Sequence, residues 1–113
     1  MPEELPSPQN VKAVFTRLSE LVQKANDRMV NLAKSYGIHG DPIHGTLKTY
    51  RVTRVGETWG IYASPMDPMG ATLEICHGIK IEAKIELLQI VDEIEREYLK
   101  KVAVVFKSAS RFV

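Results

Sequence analysis

"SPQNVKAVFTRLSELVQKANDRMVNLAKSYG", residues 7–37, decides the fold. Val11, Phe15, Leu18, Val22, Ala25, Met29, Leu32 and Tyr36 follow one another at alternating intervals of four and three. An α-helix turns once in about 3.6 residues, so this spacing gathers them into a single stripe. A heptad-like seam of that length predicts a helix packed lengthwise on another helix. Val14, Leu21 and Ala33 widen the stripe, as in a helix that also faces a globular core. The ends are marked as well. Ser7 before Pro8 is a capping residue ahead of a first-turn proline, and Gly37 offers the left-handed conformation that closes a helix.

The second helix lies at the other end of the chain. Ile81, Ile85, Leu88, Val91, Ile94, Tyr98, Val102 and Val105 advance by three or four residues, separated by Glu, Lys, Arg and Gln, all strong helix formers. The pattern predicts a helix from about Ile79 to Phe106. Within it "VAVVF", 102–106, is apolar on every side, which suits burial all round; a C-terminal strand is the competing reading of those residues.

Between the helices the period changes to two. "TLKTYRVTRV" (46–55) and "TWGIYAS" (58–64) alternate and are rich in β-formers, and Gly56-Glu57 between them suits a type II′ hairpin turn. "PMDPMGA" (65–71) is a loop, and "TLEICH" (72–77) alternates as a third strand. The expected fold is α+β: a short extended leader at 1–7, then one domain over 8–113, in which two long helices flank a small antiparallel sheet in the order α-β-β-β-α. A chain of 113 residues makes one domain of this kind.

Length sets an expectation about assembly. Helices of about 28 residues are about 42 Å long. Strands of this size reach about 20–33 Å, and a three-stranded sheet is only about 10 Å wide. Such a sheet cannot cover both helices, so apolar helix surface is left over. A two-fold homodimer is the simplest way to bury it. Its seam would be Phe15, Leu18, Val22 and Met29 on the first helix and Leu88, Val91, Ile94 and Tyr98 on the second. The alternative is an antiparallel helix pair within one chain, closed by the sheet.

Composition narrows the class. Hydrophobic residues make up 44% and charged residues 26%, so a packed core is expected. A net charge of +1 excludes wholesale nucleic-acid wrapping, and any electrostatic role must come from uneven placement. One cysteine, Cys76, excludes an intrachain disulfide and favours a reducing compartment. The acidic, proline-rich start is not a signal peptide, and no window is apolar enough to span a membrane. A cytoplasmic protein is expected.

Several stretches carry candidate chemistry. His39, Asp41 and His44, with His77 from the end of the third strand, have side chains that ligate divalent metals; but Gly37, Gly40, Pro42 and Gly45 are what a helix-to-strand connection needs in any case, and the spacing matches no established zinc motif. Cys76 beside His77 would sit on opposite strand faces, which argues against thiol catalysis. The hairpin mixes Lys48, Arg51 and Arg54 with Tyr50, Trp59 and Tyr62, and a basic aromatic ribbon can enter a groove of DNA or stack on single-stranded bases. Met66 and Met69 sit in a proline loop suited to adaptable contact. Glu82 and Glu86, and Glu93 and Glu97, are spaced as paired carboxylates, but with Lys84, Arg96 and Lys101 close by they read as a solvated helix face. No phosphate-binding glycine loop, dinucleotide fingerprint, nucleophile elbow or Cys-x-x-Cys knuckle occurs.

The reading is therefore a small non-enzymatic binding or regulatory protein, without a cofactor, that acts as a homodimer through a protein–protein surface. The contact region is expected at Tyr50, Arg51, Arg54, Trp59, Tyr62, Met66 and Met69. One alternative is a nucleic-acid-binding dimer that uses the hairpin and the basic tail from Lys100 to Arg111. The other is a metal-dependent enzyme or metal sensor.

Overall fold

The computed structural model describes residues 4–66 and 72–113. Helix α1 spans Pro8–Tyr36. The Ser7 hydroxyl accepts the Asn10 N–H at 3.2 Å, which satisfies one of the donors a helix start leaves open. At the other end Gly37 takes φ 66° and donates its N–H to the Ala33 carbonyl at 2.7 Å. Helix α2 spans Ile81–Ser110, so "VAVVF" is helical and the helix continues past Phe106. No Gly or Pro lies within it to stop it earlier.

Four strands form the sheet: β1 (Ile43–His44), β2 (Lys48–Val55), β3 (Thr58–Pro65) and β4 (Glu74–Ile75). They run antiparallel in the order β1-β2-β3-β4. Val55 pairs with Thr58 across Gly56-Glu57, and Gly56 takes φ 63° while no described non-glycine residue has positive φ, as a type II′ turn requires. The third strand expected over 72–77 shrinks to β4, because Cys76–Gly78 coils into a 3₁₀ turn that leads into α2. An edge strand not anticipated from the sequence, β1, comes out of the connecting stretch, with Ile43 opposite Tyr50 and His44 opposite Thr49.

Alternation along the hairpin puts Tyr50 and Val52 of β2 beside Ile61 and Ala63 of β3, and all four are buried. They pack with Val22, Met29 and Ala33 of α1 and with Ala83, Leu87, Ile94 and Tyr98 of α2 in one core. The buried stripes differ from the heptad seams at particular places. On α1, Asn26 is buried and Tyr36 exposed. On α2, Ala83 and Leu87 face inward while Ile85 is exposed. A strict heptad drifts round a straight helix by about 20° per repeat, so it cannot follow a sheet that stays on one side.

The helices pair within the chain, and they run in the same sense. Lys84 Nζ donates to the Ser19 hydroxyl at 3.1 Å, the Arg28 guanidinium lies 2.6 Å from Glu95, and the Tyr98 hydroxyl donates to the Ile38 carbonyl at 2.8 Å, so the contacts climb both helices together. The two are staggered by this register. α1 begins about 13 Å before the level at which α2 starts, and α2 ends about 15 Å beyond the end of α1. The result is a body of 65 × 30 × 29 Å with a radius of gyration of 16.6 Å, where a compact chain of this length would have about 13 Å.

Candidate functional site

Two of the hairpin's three aromatic residues, Tyr50 and Tyr62, are buried, on opposite faces of the sheet. Tyr50 is fully buried, and its hydroxyl proton is shared between Glu86 at 2.9 Å and the Ala83 carbonyl at 3.1 Å. Burial, and then the hydrogen bond and charge of Glu86, push the Tyr50 pKa up. Tyr62 is also buried and donates to the Thr58 carbonyl at 2.8 Å. Arg51 donates from Nε to the Gly40 carbonyl at 2.7 Å and so pins the connecting stretch to β2. What remains open is a cluster at the turn end: Arg54 lies 5.7 Å from the centre of the Trp59 ring, and the His39 ring centre is 4.9 Å from that of Trp59. Met66 is exposed at the opposite end, where Thr49 donates to its sulfur at 3.3 Å. Met69 lies outside the described residues.

The expected metal ligands are each engaged separately. His39 Nδ1 is 2.6 Å from the Thr53 hydroxyl, His44 Nδ1 is 3.0 Å from the Thr49 hydroxyl, and Asp41 accepts from Lys101 Nζ at 2.6 Å. His77 is exposed in the 3₁₀ turn. Among the described residues no three His, Cys, Asp or Glu side chains gather as a metal site would need. Cys76 is fully buried, and burial pushes its thiol up to about 12, the wrong direction for a nucleophile at neutral pH.

Glu86, which its spacing from Glu82 would place on a solvated helix face, is the most heavily bonded side chain among the described residues. Glu86 is buried. Oε2 accepts the Thr46 N–H at 2.7 Å, both oxygens accept the Leu47 N–H at 3.0 and 3.1 Å, and Oε1 accepts the Lys48 N–H at 3.2 Å besides the Tyr50 hydroxyl. Three successive amides thus form an anion-binding nest, and Glu86 fills it from within. Burial alone would raise its pKa. The donors from Leu47, Tyr50, Thr46 and Lys48 outweigh burial and hold it below the ordinary carboxylate value. Gly45 is the neighbour that makes room, since a Cβ there would collide with the Glu86 carboxylate and stand 2.9 Å from the Lys48 carbonyl. The clasp fixes the β1–β2 connection to α2.

A void of about 90 Å³ lies between residues 40–43 and Ile94, Glu97 and Tyr98 on α2, well below the roughly 300–1,000 Å³ of small-molecule pockets. Larger hollows, of about 590 Å³ beside Phe15 on α1 and about 600 Å³ beside Leu99 on α2, are shallow and open to solvent.

The open surface lies instead on the helix ends. Half of the expected dimer seam is inside the chain: Val22, Met29, Ile94 and Tyr98 are buried, and Leu18, Leu88 and Val91 are half-buried. Of that seam only Phe15, on the early turns of α1, is exposed, at 44%. Outside it, Val14 is 62% accessible beside Phe15, and Val104 is 62% and Phe106 72% accessible on the late turns of α2. No described helix is long and apolar enough to cross a membrane. Comparison of the chain with protein-family models found no match, and comparisons with curated proteins and with solved structures found none either.

Proposed function

We propose that this chain is a non-catalytic protein-binding module that self-associates as a homodimer through its projecting helix ends. The observation that carries this reading is the stagger of α1 and α2, which leaves apolar side chains at both ends of the body without cover in the chain. Surface area supports it. The chain exposes 7939 Å², whereas a folded monomer of 12.7 kDa exposes about 6,200 Å². A standard interface removes about 800 Å² from each partner, so the excess exceeds what one such interface needs. A cytoplasmic setting suits a lone reduced cysteine.

The test is solution mass by light scattering over a dilution series at low and high salt, with nucleic-acid absorbance recorded on the same peak. The expected result is twice the chain mass, little changed by salt, because apolar contact is not screened. A monomer at all concentrations would overturn the reading. Nucleic acid that is retained at low salt and lost at high salt would move the function to the basic tail, since phosphate contacts weaken steeply with ionic strength.

A further inference from the structure

We infer that the dimer forms by antiparallel pairing of α2 with α2 of a second copy, along the face that carries Arg96, Leu99, Ala103 and Phe106. This rests on the self-association reading above and names the surface it uses. Those residues recur at intervals of three and four on one exposed side of the helix, and a shallow groove runs along Arg96, Leu99 and Ala103. Leu99 is 38% accessible and Phe106 72%, neither of which the fold itself requires.

A second copy is the occupant because the face is complementary to itself when reversed. Its early turns carry acid, with Asp92 and Glu93; its late turns carry base, with Lys107. Glu93 and Lys107 are exposed and make no ion pair among the described residues. With the two-fold axis placed midway between Leu99 and Ala103, the large side chain of each copy meets the small one of the other. Phe106 then lies on the stem and guanidinium of Arg96 from the second copy, a stacking contact arginine favours. Glu93 faces Lys107 on the flank twice, once on each side of the axis. Lys100 comes near its own copy at the axis, but Glu97 already neutralises it at 3.2 Å within the chain. Shifting the pairing by one turn either way brings Phe106 onto Asp92 or leaves most of the face uncovered. The stagger makes room for this arrangement, because the late turns of α2 stand clear of α1.

Engineered cysteines test the register, since the natural Cys76 is fully buried and silent. Leu99→Cys and Ala103→Cys chains are mixed and oxidised. The expected product is a disulfide-linked pair from the mixture and none from either variant alone, because like positions sit about 6 Å further apart along the axis and outside bridging range. In parallel, Glu93→Lys weakens the dimer at least tenfold by placing two cations together, and adding Lys107→Glu to the same chain restores it. A wild-type dimer with no mixed cross-link and an unaffected Glu93→Lys variant would overturn this seam while leaving self-association through the α1 end. A monomeric wild type would overturn both.

Discussion

Replacing Glu86 by Gln tests whether the buried clasp is a principal anchor of the fold. The shape is kept, but one carboxylate oxygen becomes an NH₂ group that faces other donors. If the remaining oxygen takes the Oε1 place, the Thr46 N–H loses its acceptor; if it takes the Oε2 place, the Lys48 N–H and the Tyr50 hydroxyl lose theirs, although Ala83 can still accept from Tyr50. An orphaned partly buried donor costs about 1–2 kcal/mol, and the surviving bonds lose about 1 kcal/mol more when the acceptor is no longer charged. The expected loss is about 2–3 kcal/mol, or on the order of 10 °C in Tm. Urea unfolding at a series of pH values reads it. The folded-state pKa of Glu86 is depressed, so its contribution is complete above the unfolded value, near 4.5, and is lost as pH falls through the folded value. The gap between wild type and Glu86→Gln therefore narrows on acidification below about pH 4.5. A Gln variant within about 0.5 kcal/mol of wild type at pH 7, or a gap that widens in acid, would refute the argument.

Three further predictions follow from individual contacts. Gly45→Ala drives a methyl group into the Glu86 carboxylate and costs about as much as losing the clasp, about 2–3 kcal/mol by urea unfolding, although the residue itself is only half-buried. Asn26→Leu leaves the Ile61 N–H, which Asn26 Oδ1 accepts at 2.8 Å, unsatisfied at the sheet edge and sets a branched side chain beside Gly60; a loss of about 2–4 kcal/mol in the same assay is expected, and a neutral effect would mean the edge is not sealed there. Cys76 should react with a thiol-specific reagent at pH 8 at least a hundredfold more slowly in the folded chain than in urea, because it is both buried and held near pKa 12; fast reaction in the native state would show that the 3₁₀ turn opens.

Local signals in the sequence carried most of the architecture, because the physics behind them is local. Ser7 and Gly37 bound α1, Gly56 sets the hairpin turn, and the changes of period between 3.6 and 2 separate helix from strand. The parts that were not legible depend on distant partners. β1 forms only because Ile43 and His44 find Tyr50 and Thr49, and β4 is short because Cys76 turns toward α2. Nor could two heptad-like stripes say whether the helices run together or opposed. The three contacts that settle it, Ser19–Lys84, Arg28–Glu95 and Ile38–Tyr98, are each about 60–67 residues apart in the chain, and no periodicity encodes such pairings.

Glu86 carries a weaker signal of its place in the sequence. A glutamate four residues from another on a charged helix reads as solvated, because most are. Yet Glu86 falls between Ala83 and Leu87, both buried, on the side of α2 that faces Tyr50. A carboxylate on an inward stripe must find donors or remain protonated, and the nearest donors without partners in the sheet are the amides of a turn tight enough to need Gly45. Placing α2 by its small inward residues, Ala83 above all, rather than by the heptad through Ile81 and Ile85 would have turned Glu86 toward the core. The exposed side of the helix would then have been the one through Arg96, Leu99, Ala103 and Phe106. Which face of α2 is left exposed thus follows from the whole inward stripe, Ala83, Glu86, Leu87, Ile94 and Tyr98, in which the one charged member must be matched by the Thr46, Leu47 and Lys48 amides.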